Sequence, residues 1–194
     1  MEINLIEILL MPGMGMLCGA LPHLDIMQRL RPNSNNSRVI YLISFLKGIL
    51  PALIGMLVFG SFQAMATGSA AALLMECFSP FARQRSRGLA TALGAILVCS
   101  PFLLLLFAAM WLTGYGVIRR NYTVGIMSGI LGTALLAPTT PQLILHFFQP
   151  IPFASRTVHT VYTICMAMPL LLRHLDPIRR VIAELSNEQE EPKA

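Results

Sequence analysis

Charge is what this sequence most lacks. Only 12% of its 194 residues are charged, where soluble domains carry about 25%. The charges gather in short clusters between long apolar runs, and 55% of the chain is apolar. That leaves too little polar surface to cover a water-facing globule, and it excludes a large domain outside a membrane. Catalytic signatures are also missing. There is no Ser/His/Asp triad, Walker loop, H-E-x-x-H or paired intramembrane carboxylate, so hydrolase, ATPase and zinc-protease readings have no support. Proton-coupled transport needs ionisable groups near the membrane centre, and Glu7 and Glu76 are the only acidic candidates in or beside apolar runs. The N-terminus, Met1 to Glu7, is acidic and lacks the basic region and cleavage site of a signal peptide, so the first apolar run is expected to stay in the mature protein. Cys18, Cys77, Cys99 and Cys165 stand singly without a C-x-x-C pair. They are expected to be buried packing residues, not a disulfide or zinc framework.

What is present is a set of apolar runs, at 5–22, 39–60, 62–78, 88–118, 122–148 and 157–172, with no internal repeat. The fourth run would span about 45 Å as one helix, against a hydrocarbon core of about 30 Å. Ser100-Pro101 lies near its middle, where proline lacks an N–H and restricts its predecessor, so the run is expected to break into helices at 88–100 and 102–118. The spans then number seven. Arginine placement supports that number, because basic residues gather on cytoplasmic loops. With the N-terminus outside, Arg29, Arg31, Arg38, Arg83, Arg85, Arg87, Arg119, Arg120, Arg173, Arg179 and Arg180 all fall inside, and Arg156 alone falls outside. The net charge of +5 therefore reads as membrane topology, since the basic residues form no single stripe for nucleic acid. The expected fold is an all-α polytopic integral membrane protein of about seven transmembrane helices, with the N-terminus outside and the C-terminus cytoplasmic. Residues 1–183 are expected to form one transmembrane domain, and the glutamate-rich segment 184–194 a disordered tail.

Four polar features converge on the cytoplasmic side of this topology: Pro32 to Arg38, Arg83 to Gly88, Arg119 to Tyr122, and the segment from Arg173 onward. Arg85-Ser86-Arg87-Gly88 directly precedes the helix starting at Leu89, so guanidinium forks and first-turn N–H groups would point at one spot, a cradle for phosphate. The same arginines serve equally as a topology signal in contact with anionic lipid headgroups, the more economical reading of spacing alone. Lys47 lies inside an apolar run, where a cation costs about 2.5–3.5 kcal/mol at the helix centre. Either it has a function or it snorkels to the interface. His174, Asp176, Arg179 and Arg180 form either a polar cluster or simple charge at a helix end. His146 and His159 belong to the outer side without acidic neighbours in sequence, and neither is assigned a metal or catalytic role.

The order of these features resembles the bacterial acyl-phosphate:glycerol-3-phosphate acyltransferases, the PlsY family of phospholipid synthesis, over most of the chain. Arg87-Gly88-Leu89-Ala90-Thr91 through Ile96, followed by Ser100-Pro101, is similar to the family's phosphate loop F-K-G-G-K-G-V-A-T and the helix after it. Leu46-Lys47-Gly48 with Pro51 resembles its D-x-L-K-G-x-x-P segment, and Arg173 to Arg180 resembles its C-terminal H-x-[ED]-N-I-x-R-L. The family's seven spans, outside N-terminus and cytoplasmic site match the topology above. Departures fall at the motifs. The G-S-G-N-x-G-A-T-N segment is represented by Asn33-Ser34-Asn35-Asn36 with Arg38, without its glycines. K-G-G-K-G becomes Gln84-Arg85-Ser86-Arg87-Gly88, Leu74-Met75 stand at the Gly-His before the loop, Ser44 at the Asp before L-K-G, and Pro177 at the Asn after the acidic residue.

The resemblance implies a membrane acyltransferase that needs no cofactor or metal, with acyl phosphate and glycerol 3-phosphate as substrates, membrane lipids around it, no nucleic acid, and its active site at the cytoplasmic face of the cell inner membrane. An acyl phosphate is already activated, so such a site holds two anions and stabilises developing charge. On this reading His174 and Arg87 are catalytic, His174 orienting or accepting the hydroxyl proton, and Ser34, Asn36, Arg38, Lys47, Arg85, Ser86, Gly88, Thr91 and Arg179 bind substrate. A second reading is a family homologue that has lost catalysis and serves as a lipid-binding or interaction subunit, consistent with the lost glycines.

Overall fold

The computed structural model describes residues 5–21, 37–78, 88–117, 120–141 and 155–190, with isolated positions 144, 148 and 151 between the last two segments. These residues contain seven α-helices and no strand: α1 Leu5–Ala20, α2 Ser37–Ile54, α3 Phe62–Phe78, α4 Leu89–Cys99, α5 Pro101–Val117, α6 Tyr122–Leu136 and α7 Arg156–Glu190. A π-helical turn, Gly55–Phe59, extends α2, and a 3-10 turn, Ala137–Thr139, extends α6.

Local chemistry sets the boundaries. Gly60, at φ 60°, closes the π turn. Ser61 then starts α3, its Oγ accepting the N–H of Ala64 at 3.1 Å. Asn121 caps α6 by accepting from Thr123 N at 2.9 Å and Val124 N at 3.4 Å. The break expected at Ser100-Pro101 is present, because α4 ends at Cys99 and α5 begins at Pro101. Two expected ends move. The run 122–148 is not one helix: α6 stops at Leu136, where Pro138 and Pro141 follow in quick succession. At the other end of the chain, α7 runs through the expected tail to Glu190. A helix already nucleated by the bundle propagates readily through glutamate, leucine and glutamine, which are good helix formers.

Glycine sets the closest approaches between helices. Gly15 and Gly19 of α1 meet the backbone of Gly68 and Ala72 in α3, Gly48 of α2 meets Thr91 in α4, and Gly94 of α4 meets Phe45 in α2. Between α5 and α6, Gly129 seats against Phe107 and Gly125 against Trp111 and Tyr115. A Cβ would collide with its neighbour at each of these positions except Gly125, where it would make a tight contact at 3.0 Å. Such small-residue contacts let backbones approach where lipid offers no hydrophobic drive.

The contacts also give direction. α1 and α3 run parallel, α5 and α6 antiparallel. α4 opposes α3, since Gly88 lies against Cys77 while Ser69 Oγ sits 3.7 Å from Cys99 Sγ. α7 follows α3, with His159 and Tyr162 against Phe62 and Arg173 against Cys77. Arg156 of α7 donates through Nε to Pro138 O at 2.7 Å, which sets α7 against α6 and parallel to α5. The chain therefore turns back at Ser100-Pro101. Among the described residues, Arg38, Arg120, Arg173, Arg179 and Arg180 mark one end of the bundle and Arg156 the other.

The outward surface is apolar, as shown by Leu57 at 76% and Val117 at 75% exposure. Two helical stretches, Arg38–Phe59 of 22 residues and Tyr122–Thr139 of 18 residues, are long and apolar enough to cross a membrane, and Leu9–Ala20, Leu89–Cys99 and Pro101–Val117 are shorter apolar helices. The four cysteines are free. Cys77 and Cys99 are buried as expected of packing residues, Cys18 is half-buried, and Cys165 is exposed on the outer face of α7.

Candidate functional site

The arginine-rich end contains a buried ionic node. Ser44 and Lys47, three residues apart on α2, share one helix face. Facing them is Glu76, near the end of α3. Lys47 Nζ donates to Glu76 Oε2 at 2.8 Å, and Ser44 Oγ donates to Glu76 Oε1 at 3.2 Å. The two charged side chains are only 5% and 2% exposed. Lys47 also donates to Leu21 O at 2.5 Å and Gly19 O at 3.5 Å. Those carbonyls belong to the end of α1, where the last backbone acceptors lack helical partners and the dipole is negative, so an ammonium group is a fitting cap. Its three protons thus meet three protein acceptors. Burial of a charge is tolerable only with such saturation, because desolvation costs several kcal/mol per ion.

Thr91 joins α4 to this node. It is fully buried, and its Oγ1 donates to Ser44 O at 3.0 Å. Three residues earlier, Gly88 precedes α4 at φ 71°, a conformation that L side chains resist. Space demands glycine there as well, since a Cβ would fall 2.8 Å from Leu73 Cδ1 and closer still to Cys77 Sγ. Gly88 O accepts the N–H of Ala92 at 2.9 Å and so begins the helix. The first turn of α4 opens at the arginine-rich end, with its dipole positive there.

The third side comes from α7. His174 is 1% exposed, and its Nδ1 lies 2.8 Å from Leu170 O. A carbonyl only accepts, so Nδ1 carries the proton in this bond and Nε2 is the ring nitrogen suited to proton exchange. Leu170 Cδ2 would lie 3.7 Å from a Cβ on Gly88, which places the histidine's helix beside the start of α4. Arg173 Nε donates to Cys77 O at 2.8 Å, and its guanidinium sits 5.6 Å from the Phe78 ring centroid. That cation caps the end of α3 and fixes α7 to it.

Of the residues expected at the site, Lys47, Gly88, Thr91 and His174 thus gather around the end of α3 from three other helices. Arg38 and Arg179 lie exposed at the same end of the bundle, on the first turn of α2 and beyond His174 on α7. Ser34, Asn36, Arg85, Ser86 and Arg87 lie outside the described residues, as does His146. Two participants were not singled out from the sequence, Glu76 as the partner of Lys47 and Arg173 as the anchor of α7. The signal for the pair was there: an apolar run with one buried cation and its neighbour with one acid, each costly alone. His159 lies at the far end, its Nε2 3.3 Å from Ser100 Oγ and its ring stacked on Phe62.

A family model described as glycerol-3-phosphate acyltransferase matches residues 35–184, from the approach to α2 through most of α7. The chain belongs to the glycerol-3-phosphate acyltransferase family. No curated protein and no solved structure matches it. The family is membrane-associated and its chemistry is acyl transfer to glycerol 3-phosphate, a step of phospholipid synthesis. Within the matched region fall Ser44, Lys47, Glu76, Gly88, Thr91 and His174, while Gly19 and Leu21 precede it.

Proposed function

We propose that this chain is a multi-pass inner-membrane acyltransferase that moves an acyl group from acyl phosphate to glycerol 3-phosphate, giving lysophosphatidate. The arginine-rich end faces the cytoplasm on this reading, and seven spans place the N-terminus outside. The observation that carries the proposal is the convergence of Gly88, Thr91 and His174 around the end of α3 within a matched acyltransferase region. The acceptor hydroxyl oxygen attacks the carbonyl carbon, and a C–O bond forms as the bond to the phosphate oxygen breaks. Phosphate departs with the electron pair, and the hydroxyl proton passes to His174 Nε2. Arg85, Ser86 and Arg87, ahead of the α4 dipole, hold the departing phosphate; Ser34, Asn36, Arg38 and Arg179 hold the acceptor. Lys47 contributes its charge from within the ionic node.

The test is purified protein in lipid, given an acyl phosphate and radiolabelled glycerol 3-phosphate. Labelled lysophosphatidate that disappears in Arg87→Ala and His174→Ala supports the proposal. A folded protein that forms no product, with this acceptor or other phosphorylated alcohols, sinks it. The second reading, a non-catalytic lipid-binding homologue, is favoured by one observation: the ammonium of Lys47 is engaged by three protein acceptors.

A further inference from the structure

His174 is carried on a stretch of α7 that the helix's own hydrogen bonds secure poorly. Pro169, five residues before it, and Pro177, three residues after it, both lie inside the helix. Each proline lacks an N–H, so Cys165 O and Arg173 O lose the helical bond that the residue four places on would give. Helices bend at such positions. The ring nitrogen that must reach the start of α4 therefore depends for its place on whatever grips this stretch from the side.

Arg173, the residue before His174, supplies that grip. Its Nε and Nη2 both donate to Cys77 O, Nε at 2.8 Å, and the guanidinium lies over the Phe78 ring. A planar fork that commits two donors to one carbonyl and its face to a ring is fixed in orientation, which a lysine ammonium is not. The same short piece of α3 serves the other parts of the site. Glu76 holds Lys47 and Ser44 of α2, and Cys77 Sγ lies so near Gly88 that no Cβ fits between them. Cys77 thus touches both the neighbour of His174 and the turn that opens α4. We infer that Arg173 is a positioning residue for acyl transfer, which through Cys77 sets His174 in register with Gly88 and the start of α4. The inference rests on the acyltransferase reading and adds to it the residue that places the base. It also separates Arg173 from the arginines proposed to hold substrate, because its Nε and Nη2 are committed to protein.

Arg173→Ala removes the grip and leaves every proposed substrate-binding side chain intact. In lipid, kcat should fall at least about 30-fold while KM for acyl phosphate and for glycerol 3-phosphate stays within about threefold of native, because a misplacement of about 1 Å costs about 100-fold in rate. Arg173→Lys keeps one donor for Cys77 O and should recover at least about fivefold of that loss; it is the variant to read if Arg173→Ala does not fold. Alkylation of the folded protein by N-ethylmaleimide, mapped by mass spectrometry, reads the grip without turnover. Cys77 is fully buried in the native protein and should label at least about tenfold faster in Arg173→Ala, with Cys99, equally buried at the far end of α4, unchanged. Faster labelling of Cys77 without product from any form keeps the grip and removes the catalytic reading. A raised KM at native kcat overturns the inference, since Arg173 then holds substrate. Native kcat with faster labelling overturns it as well, leaving Arg173 an anchor of the fold alone, and so does a fallen kcat with Cys77 labelling unchanged.

Discussion

Removing the carboxylate of Glu76 takes from the buried Lys47 ammonium the anionic partner that Oε2 supplies at 2.8 Å, while the carbonyls of Gly19 and Leu21 stay in place. Breaking one side of a buried pair costs about 3–5 kcal/mol, and the two surviving carbonyls place Glu76→Ala near about 3 kcal/mol. At about 2–4 °C per kcal/mol for a chain of this size, the unfolding midpoint in detergent should drop by about 6–12 °C. Replacing both partners, as Lys47→Met with Glu76→Leu, removes the charge and the orphan together and should return stability to within about 1 kcal/mol of the native protein. The assay is a double-mutant cycle by thermal unfolding of detergent-solubilised protein, and the coupling should exceed about 2 kcal/mol. Additive single effects, or a Glu76→Ala protein as stable as the native one, would refute the node as described. The same double variant also separates roles. Restored stability with lost acyl transfer assigns Lys47 to substrate as well as to the fold.

Gly88→Ala should cost about 1–2 kcal/mol from the left-handed backbone alone, and more from collision with Cys77 and Leu73. Gly60→Ala, at nearly the same φ but with open space around it, should lose only the conformational part, so unfolding midpoints of the two variants must differ. His174→Asn keeps a donor for Leu170 O and lacks a base; acyl transfer should fall at least about 100-fold with the unfolding midpoint little changed, and full activity would exclude a proton role. Thr91→Val removes the bond to Ser44 O at constant volume and should destabilise by about 1 kcal/mol, measured by the same thermal unfolding.

Helix existence was legible because apolar runs and their punctuation are local: all seven helices begin within about two residues of their run or of the Ser100-Pro101 break, within the usual uncertainty of helix ends. The family was legible too, from Lys47-Gly48, Gly88 to Thr91 and the segment at His174. What the sequence hid was pairing. Glu76 lies 29 residues from Lys47, and nothing in one dimension says that their helices meet there. Likewise the stop of α6 at Leu136 depends on prolines whose breaking effect was outweighed, in a count of apolar residues, by the run continuing to 148. The glutamates of α7 read as tail composition, yet a long helix carries them forward from a docked stem.

The glycine-lined pairing of α1 with α3 and of α2 with α4 has a consequence for biosynthesis. Each helix skips its neighbour, so if the chain enters the membrane as proposed, from its N-terminus, α2 waits for a partner not yet made. At about 5–20 residues per second, the interval between translation of Lys47 and of Glu76 is about 1.5–6 s. During that time the ammonium must be sheltered by the carbonyls of α1 or by the insertion machinery, since the bilayer core offers it no counter-ion. The order of synthesis favours this, because the two acceptors at Gly19 and Leu21 are made first.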